Sequence, residues 1–447
     1  MLCLASCDKT APGQLMAAAR LNIPSIVVAC GYQPSGSYRG RHCDIEDVFL
    51  AAGHVVNGTL SVAELTEMSE HAVLGPGVCA GLGTANTMHL ACEALGMALP
   101  GSTPVRANSE PMWRAVEEAG QRIVAMIGED LRPRDILTPD AFANAVAAVL
   151  SVSGSINSVK HLQAVAAEAQ CGADVYRLFE TLAAGVPLLA AVRPNGEVPI
   201  EAFEDAGGAR AVMKQLEPLL DTGARTVTGG TVADNLRDAK VANAEVIRPI
   251  GRPVAPLPAI VLLRGNLAPE SGLIKTGIAE RKVRRFTGPA VCFWTSDAAI
   301  AALKKGEIVP GQVVVMRGAG ACGGPAMGGG ASRVVFAVDG AGLGDQVALL
   351  TDGHLSGLVC KGLVVAEVSP EAALGGPLGL LEDGDVITID LDARRLDVAL
   401  DDAQLQARRD GWQPPPPAHD TGWLQQYRRN VGALSQGAVL VRSERAS

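Results

Sequence analysis

This sequence predicts an α/β fold: a parallel-sheet domain with flanking helices over residues 1–245, a linker at 246–258 and a β-rich domain over 259–447. Three observations predict it. The first thirty residues read as apolar run, helix and second apolar run, which is a βαβ unit. IRPIGRPVAPLPAI carries four prolines, and proline removes helix and ladder donors. Beyond it come short β-rich runs separated by Gly, Pro and Asp turns.

Each element follows from local pattern. Residues 1–5 form a short apolar run, predicting a strand. Residues 7–13 read as the loop at its end, 14–22 as a helix and 23–30 as a buried second strand. In such sheets ligands gather at the C-terminal ends of strands. Residues 46–57 and 61–71 read as helices, the second with Ser61 as N-cap and Glu64 as its capping-box partner. A helix over 84–95 follows a Gly-rich loop and stops at Gly96, and LPG at 99–101 turns the chain. Helices are expected at 139–150, 158–170 and, entered through Gly207 and Gly208, up to residue 220. Runs at 259–263, 312–317, 347–350 and 385–391 are the strands of a compact β-dominated domain, a barrel or a sandwich. Residues 414–417 form a polyproline stretch before a basic tail.

Composition narrows the function. Hydrophobic content is 48% and charge 19%, which is the balance of a globular chain. A net charge of −9 argues against a phosphate-backbone binder, and 3% aromatics leave few stacking surfaces for bases. No apolar run reaches the roughly 18 residues of a spanning helix, so no membrane partner is expected. No secretory leader is expected, and the ten cysteines lack a small-domain disulfide framework. Both point to a reducing cytoplasm.

Two loops carry the chemistry. Cys7, Asp8 and Lys9 set a thiol, a carboxylate and an amine side by side, just before a Pro-Gly pair and a helix. Soft sulfur suits iron, and hard oxygen suits magnesium. GPGVCAGLGTANTM places a further thiol, Cys79, in a similar setting. Cys3, Cys30, Cys92 and Cys292 sit in apolar runs and read as small buried apolar residues. His89 and His161 read as helix-surface or packing residues. Gly81 and Gly83 belong to no dinucleotide fingerprint or phosphate loop. The bland readings of Asp8, Lys9 and Ser356 are an Asx turn, a solvated side chain and a turn serine. A hydrolase has little support, since there is no GxSxG elbow and no His placed to activate Ser356.

SCDKTAPGQLMAAARLNIPS, GTANTMHLACEALGMALPG, LRGNLAPESGLIK and LLTDGHLSG stand in order along the chain, with GPLGLLEDGDVITID after them. Together they resemble the dihydroxy-acid dehydratase / 6-phosphogluconate dehydratase family over nearly the whole length. The resemblance implies dehydration of a 2,3-dihydroxy carboxylic acid, branched-chain or sugar acid, to a 2-oxo acid. It implies that Cys7 and Cys79 are two of three thiolates on an iron–sulfur cluster, 2Fe-2S or 4Fe-4S. Asp8 and Lys9, the latter as a carbamate, would face Mg2+, and Ser356 would be the base that takes the C2 proton. His354 stands where the family usually has Arg, so a substrate contact there is weakly implied. The second domain is implied to be a β-barrel swivel domain, and the molecule a homodimer or higher homo-oligomer. Iron would act as a Lewis acid on the leaving hydroxyl. A serine serves as base only where cations stabilise its alkoxide.

The chain departs from the family pattern in three places. The family carries its first cluster cysteine and a magnesium-binding glutamate ahead of the CDK motif, and here Cys7 follows Met1 closely. Gly329, in GGPAMGGG, stands where the family has a metal-binding glutamate. GSINS at 154–158 replaces GSTNA. Two readings therefore compete: an active dehydratase, or a catalytically impaired paralogue or fragment acting as a partner or scaffold subunit.

Overall fold

The computed structural model describes residues 1–278, 283–324, 330–357, 359, 362–413 and 421–440. It divides into two compact units. The first holds Met1–Val48 and Thr66–Ile260; the second holds Phe49–Leu65 and the described residues from Val261 onward. The proline-rich stretch at 246–258 is held to the first unit: Arg248 N donates to Leu189 O at 2.8 Å, and Leu188 N donates to Ala255 O at 2.9 Å. Residues 49–65, in turn, pack with the second unit.

The first unit opens with β1 (Leu2–Ala5), α1 (Thr10–Leu21) and β2 (Ile26–Ala29). The two strands pair in parallel, from Leu2 opposite Ile26 to Ala5 opposite Ala29. α1 buries Ala11, Leu15, Ala18 and Ala19, an apolar stripe at helical spacing, and ends on left-handed Asn22 (φ 50°). It begins four residues earlier than the sequence suggests. Pro12 and Gly13 read as loop, but a proline in a helix's first turn costs no hydrogen bond, because those N–H groups have no intrahelical acceptor. A short hairpin of β3 (Gly36–Tyr38) and β4 (Arg41–Cys43) follows.

Helices complete this unit: α2 (Ile45–Val56) starts in it, α3 (Val62–Ala72) ends in it, and α4 (Thr84–Ala94), α5 (Glu110–Glu129), α6 (Pro133–Ile136), α7 (Pro139–Ser151), α8 (Asn157–Ala169), α9 (Val175–Leu182), α10 (Ile200–Asp205), α11 (Gly208–Leu216) and α12 (Val232–Leu236) follow. α3 has the expected cap: Ser61 N donates to Glu64 Oε2, and Glu64 N donates to Ser61 Oγ, each at 3.2 Å. Every residue of α4 is buried. It packs against α1, α7, α8 and α11 and is the centre of the unit. α5, the longest helix, was not legible as one, because it buries only Met112, Ala119 and Met126. Its cap signal was present: Ser109 Oγ accepts from Met112 N at 3.3 Å, and Pro111 follows in the first turn.

The second unit is built on eight strands: β5 (Ile260–Leu263), which straddles the division, β6 (Ser271–Lys275), β7 (Arg285–Phe293), β8 (Val313–Met316), β9 (Ala348–Thr351), β10 (Leu363–Ser369), β11 (Val386–Asp390) and β12 (Arg395–Val398). Their order is β12-β11-β7-β8-β9-β10-β6-β5. β7 to β10 run parallel to their neighbours, and the flanking pairs β11–β12, β11–β7 and β10–β6 are antiparallel. A bridge between Arg264 and Arg395 links the two ends, so the sheet is nearly closed and barrel-like. Leu263, Ile274, Val313, Leu350, Val365, Ile387 and Leu396 belong to its core. The unit is less β-dominated than expected. α13 (Ser296–Lys304) and α14 (Gly330–Gly340) lie between β7 and β8 and between β8 and β9, because parallel neighbours need a crossover. α15 (Asp402–Asp410) and α16 (Gly422–Asn430) follow the last strand. Gly329 and residues 414–417 lie outside the described residues.

Candidate active site

β1 ends at Ala5, and the chain turns through Ser6 and Cys7 into α1. Thr10 fixes this turn: its Oγ1 donates to Cys7 O at 2.8 Å and accepts from Cys7 N at 2.6 Å. The Cys7 thiol is thereby held at the C-terminal end of a parallel strand, on an exposed residue. Asp8 and Lys9 follow it, with Lys9 Nζ 3.7 Å from Asp8 Oδ2.

Cys79 reaches the same end of the sheet by another route. Beyond β2, Tyr32 pairs in parallel with Val78; Val78 N donates to Gly31 O at 2.9 Å, and Gln33 N donates to Val78 O at 2.8 Å. Cys79 is the next residue. Burial pushes its thiol up to about 11, and the nearby Cys7 is the next largest cause, followed by the charges of Asp8 and Asp44. The parallel pairings place the Cys7 and Cys79 loops at the same end of the sheet.

His161, on α8, joins them. Its Nε2 lies 3.2 Å from Lys9 Nζ. An ammonium has no lone pair, so Lys9 donates, Nε2 accepts and the ring proton sits on Nδ1. The sequence suggested a surface or packing role for His161. It is 8% exposed, a packing residue, and α1 packing against α8 brings it to Lys9. The preceding Lys160 is also buried and donates to Asn157 Oδ1 at 2.9 Å; Asn157 Nδ2 donates to Thr84 Oγ1 at 3.0 Å, and Thr84 Oγ1 lies 2.8 Å from Ser155 Oγ. This buried network ties the GSINS segment to the first residue of α4. His89, by contrast, is a fully buried packing residue whose imidazole burial pulls down to about 4. Cys3 and Cys92 are buried as expected, whereas Cys30 and Cys292 are only half-buried.

A charged clamp borders the Cys79 loop. Arg193 Nε donates to Asp44 Oδ2 at 2.8 Å, and its Nη2 lies 3.0 Å from Asp47 Oδ1 and 3.6 Å from Glu46 Oε2. Burial works against the guanidinium, but Asp44, Asp47 and Glu46 outweigh it and hold it charged. The backbone of Arg193 accepts from Leu82 N at 2.7 Å, so the clamp also anchors the loop that carries Cys79. Nothing in the sequence joined 44–47 to Arg193, since the partners are far apart in the chain.

Ser356 and His354 belong to the second unit, on the loop at the C-terminal end of β9. Asp352 starts this loop and is fully buried; it accepts from Gly318 N (3.0 Å), Ala319 N (2.9 Å) and Ala372 N (2.9 Å). Burial still raises its carboxyl above the usual range. Ser356 N donates to Ser332 Oγ at 2.9 Å, which fixes the serine against α14. His354 is 9% exposed. Glu371 accepts from Cys322 N and Gly323 N at 3.0 and 2.9 Å, and burial pushes it up to about 7.

The donor chemistry of the first unit fits an iron–sulfur group through two sulfurs, Cys7 and Cys79. Asp8 provides the hard oxygen that magnesium prefers. Among the described residues no set of three His, Cys, Asp or Glu side chains is placed to hold one ion. No helix of the described residues is long and apolar enough to cross a membrane.

Fold and site together describe a two-unit α/β protein with strand-end loops that offer thiols in one unit and a pinned serine in the other. Residues 1–235 match the dihydroxy-acid/6-phosphogluconate dehydratase N-terminal family, and residues 245–438 match the corresponding C-terminal family. The chain is 42% identical over 443 residues to a dihydroxy-acid dehydratase of Sulfurisphaera tokodaii, covering 98% of this chain and 78% of that protein. A dihydroxy-acid dehydratase of Moorella thermoacetica is 41% identical over 437 residues, covering 97% and 79%. One of Chloroflexus aggregans is 42% identical over 449 residues, covering 98% and 78%. This chain belongs to the dihydroxy-acid/6-phosphogluconate dehydratase family.

Proposed function

We propose that this chain is a hydro-lyase that removes water from a 2,3-dihydroxy carboxylic acid and releases a 2-oxo acid. One observation carries the reading: in a chain of this family, separate loops bring Cys7 and Cys79 to the same end of the parallel β1–β2 pair, with Asp8 and Lys9 following Cys7. The named relatives are dihydroxy-acid dehydratases along nearly all of this chain.

Cys7 and Cys79 would hold an iron–sulfur group, and Asp8 with a carbamate on Lys9 would hold magnesium. Bound there, the metals supply Lewis acidity for the leaving hydroxyl and positive charge for the substrate's carboxylate. Thr10 holds the Cys7 turn, and His161 orients Lys9 through Nε2. Ser356 Oγ takes the C2 proton, and its backbone is fixed by Ser332 so that only the hydroxyl need turn. His354, on the same loop, contacts the substrate. Loss of the C2 proton and the C3 hydroxyl leaves an enol, which tautomerises to the ketone. The nine described cysteines are all free, which supports a reducing cytoplasm.

Anaerobic iron–sulfur reconstitution with magnesium, followed by assay on a branched 2,3-dihydroxy acid and on a sugar acid, tests this reading. A 2-oxo acid should form from at least one of them. Iron-loaded protein that converts neither class would overturn it.

A further inference from the structure

α4 follows directly on the Cys79 loop, and its third residue is Asn86. Helix side chains tilt toward their own N-terminus, so an amide at this position reaches back over the preceding loop. Asn86 is 1% exposed. Its Nδ2 donates to Cys79 O at 3.0 Å and to Gly81 O at 2.7 Å. The two carbonyl acceptors fix which way the amide points. Its Oδ1 is buried and has no hydrogen-bond partner.

That asymmetry is informative. Asparagine is a poor helix former, and an unpaired buried oxygen is costly. Asn86 is used for its two N–H donors alone, and both go to the loop that carries a thiol. The remaining loop bonds surround these two: Gly81 N donates to Cys79 O at 2.9 Å, and Leu82 N donates to Arg193 O at 2.7 Å. Gly81 stands where an added Cβ would lie 3.0 Å from Arg193 O, so the backbone passes close by. The Asn86 amide is the side-chain contact on the Cys79 backbone itself.

We infer that Asn86 is a positioning residue for Cys79, its amide holding the Cys79 and Gly81 carbonyls so that the thiol points into the site. The inference deepens the proposed function and rests on the reading of Cys79 as a sulfur ligand.

The test uses the full metal-free chain. Iodoacetamide labelling of Cys79 and Cys7 is followed by peptide mass spectrometry in one sample, so that Cys7 is the internal reference. N86A and N86D remove the donors. Asn144 provides a matched control: it is also 1% exposed, and its side chain bridges to Asp221 O and Asp221 N at 2.8 Å, on α7. N86A and N86D should raise the Cys79-to-Cys7 labelling ratio above that of wild type. N144A should lower the thermal midpoint and leave that ratio unchanged. After reconstitution, N86D should bind less iron than wild type, with a shifted visible spectrum. An unchanged ratio in both Asn86 variants, or an equal change in N144A, would overturn the inference. So would loss of the fold in both Asn86 variants, which would make the residue structural. C79A separates the underlying reading: full iron content in C79A, with the labelling change still present in N86D, would remove the ligand role and keep the clamp.

Discussion

Lys9 and His161 lie 152 residues apart in the chain, yet Lys9 Nζ donates to His161 Nε2 at 3.2 Å. The contact ties the turn after β1 to α8 and orients the amine of the CDK motif. Replacing His161 by Ala should lower kcat by at least about ten-fold, as loss of a supporting partner does at metal sites. The thermal midpoint should move little. Steady-state kinetics beside a melting curve checks this; wild-type kcat in H161A would contradict it.

Arg193 Nε donates to the buried Asp44 carboxylate at 2.8 Å, and His42 Nε2 lies 3.1 Å from the same oxygen. Asp44's side chain is 2% exposed. Removing one partner of a buried pair leaves the other charge uncompensated, at a cost of about 3–5 kcal/mol. R193A should therefore lose stability on that scale in urea, and R193K should recover only part of it, since lysine lacks the planar fork. The R193A/D44N double variant should be less destabilised than the sum of the singles.

Glu93, in the middle of α4, accepts from Gly101 N at 2.7 Å and Thr103 N at 3.1 Å. Burial outweighs those bonds and pushes its carboxyl up to about 7, from 4.5 for the free group. Between those values the folded chain keeps a proton that the unfolded chain has lost. The contribution is present in full below about 4.5 and fades as pH rises through 7, with a total on the order of 3 kcal/mol. Wild-type stability, measured relative to E93Q, should thus fall from pH 4.5 to 7.5. A relative rise over that window would contradict the assignment.

Ser356→Ala should lower turnover by about 10²- to 10⁴-fold, the range for loss of a positioned proton acceptor. Iron content and thermal midpoint should stay near wild-type values, because Asp352 and the Ser356 backbone N–H both anchor the loop. Equal activity in the variant would move the proton acceptor elsewhere.

The sequence exposed the local features well. Cys7 stood out because it adjoins polar residues ahead of a Pro-Gly pair and Cys79 because it lies in a Gly-rich loop, and the βαβ opening followed from two apolar runs around an alanine-rich helix. The Ser61–Glu64 cap was legible because a capping box is written within four residues. What escaped was non-local or weakly patterned. His161 and Arg193 became site-associated only through packing of distant segments. α5 exposes most of its length, so its apolar period was faint. β6, β7, β10 and β12 were missed, as were the crossover helices α13 and α14, because runs in a mixed sheet carry little period of their own. Start-of-helix proline at Pro12 shifted α1, since loop and first-turn chemistry look alike in sequence.

The most direct test of the account is iron and sulfide content per chain after anaerobic reconstitution, compared among wild type, C7A, C79A and the double variant. The account predicts a brown wild-type protein with stable iron, and nearly complete loss of iron and colour when either thiol is removed. Undiminished iron in the double variant would contradict it.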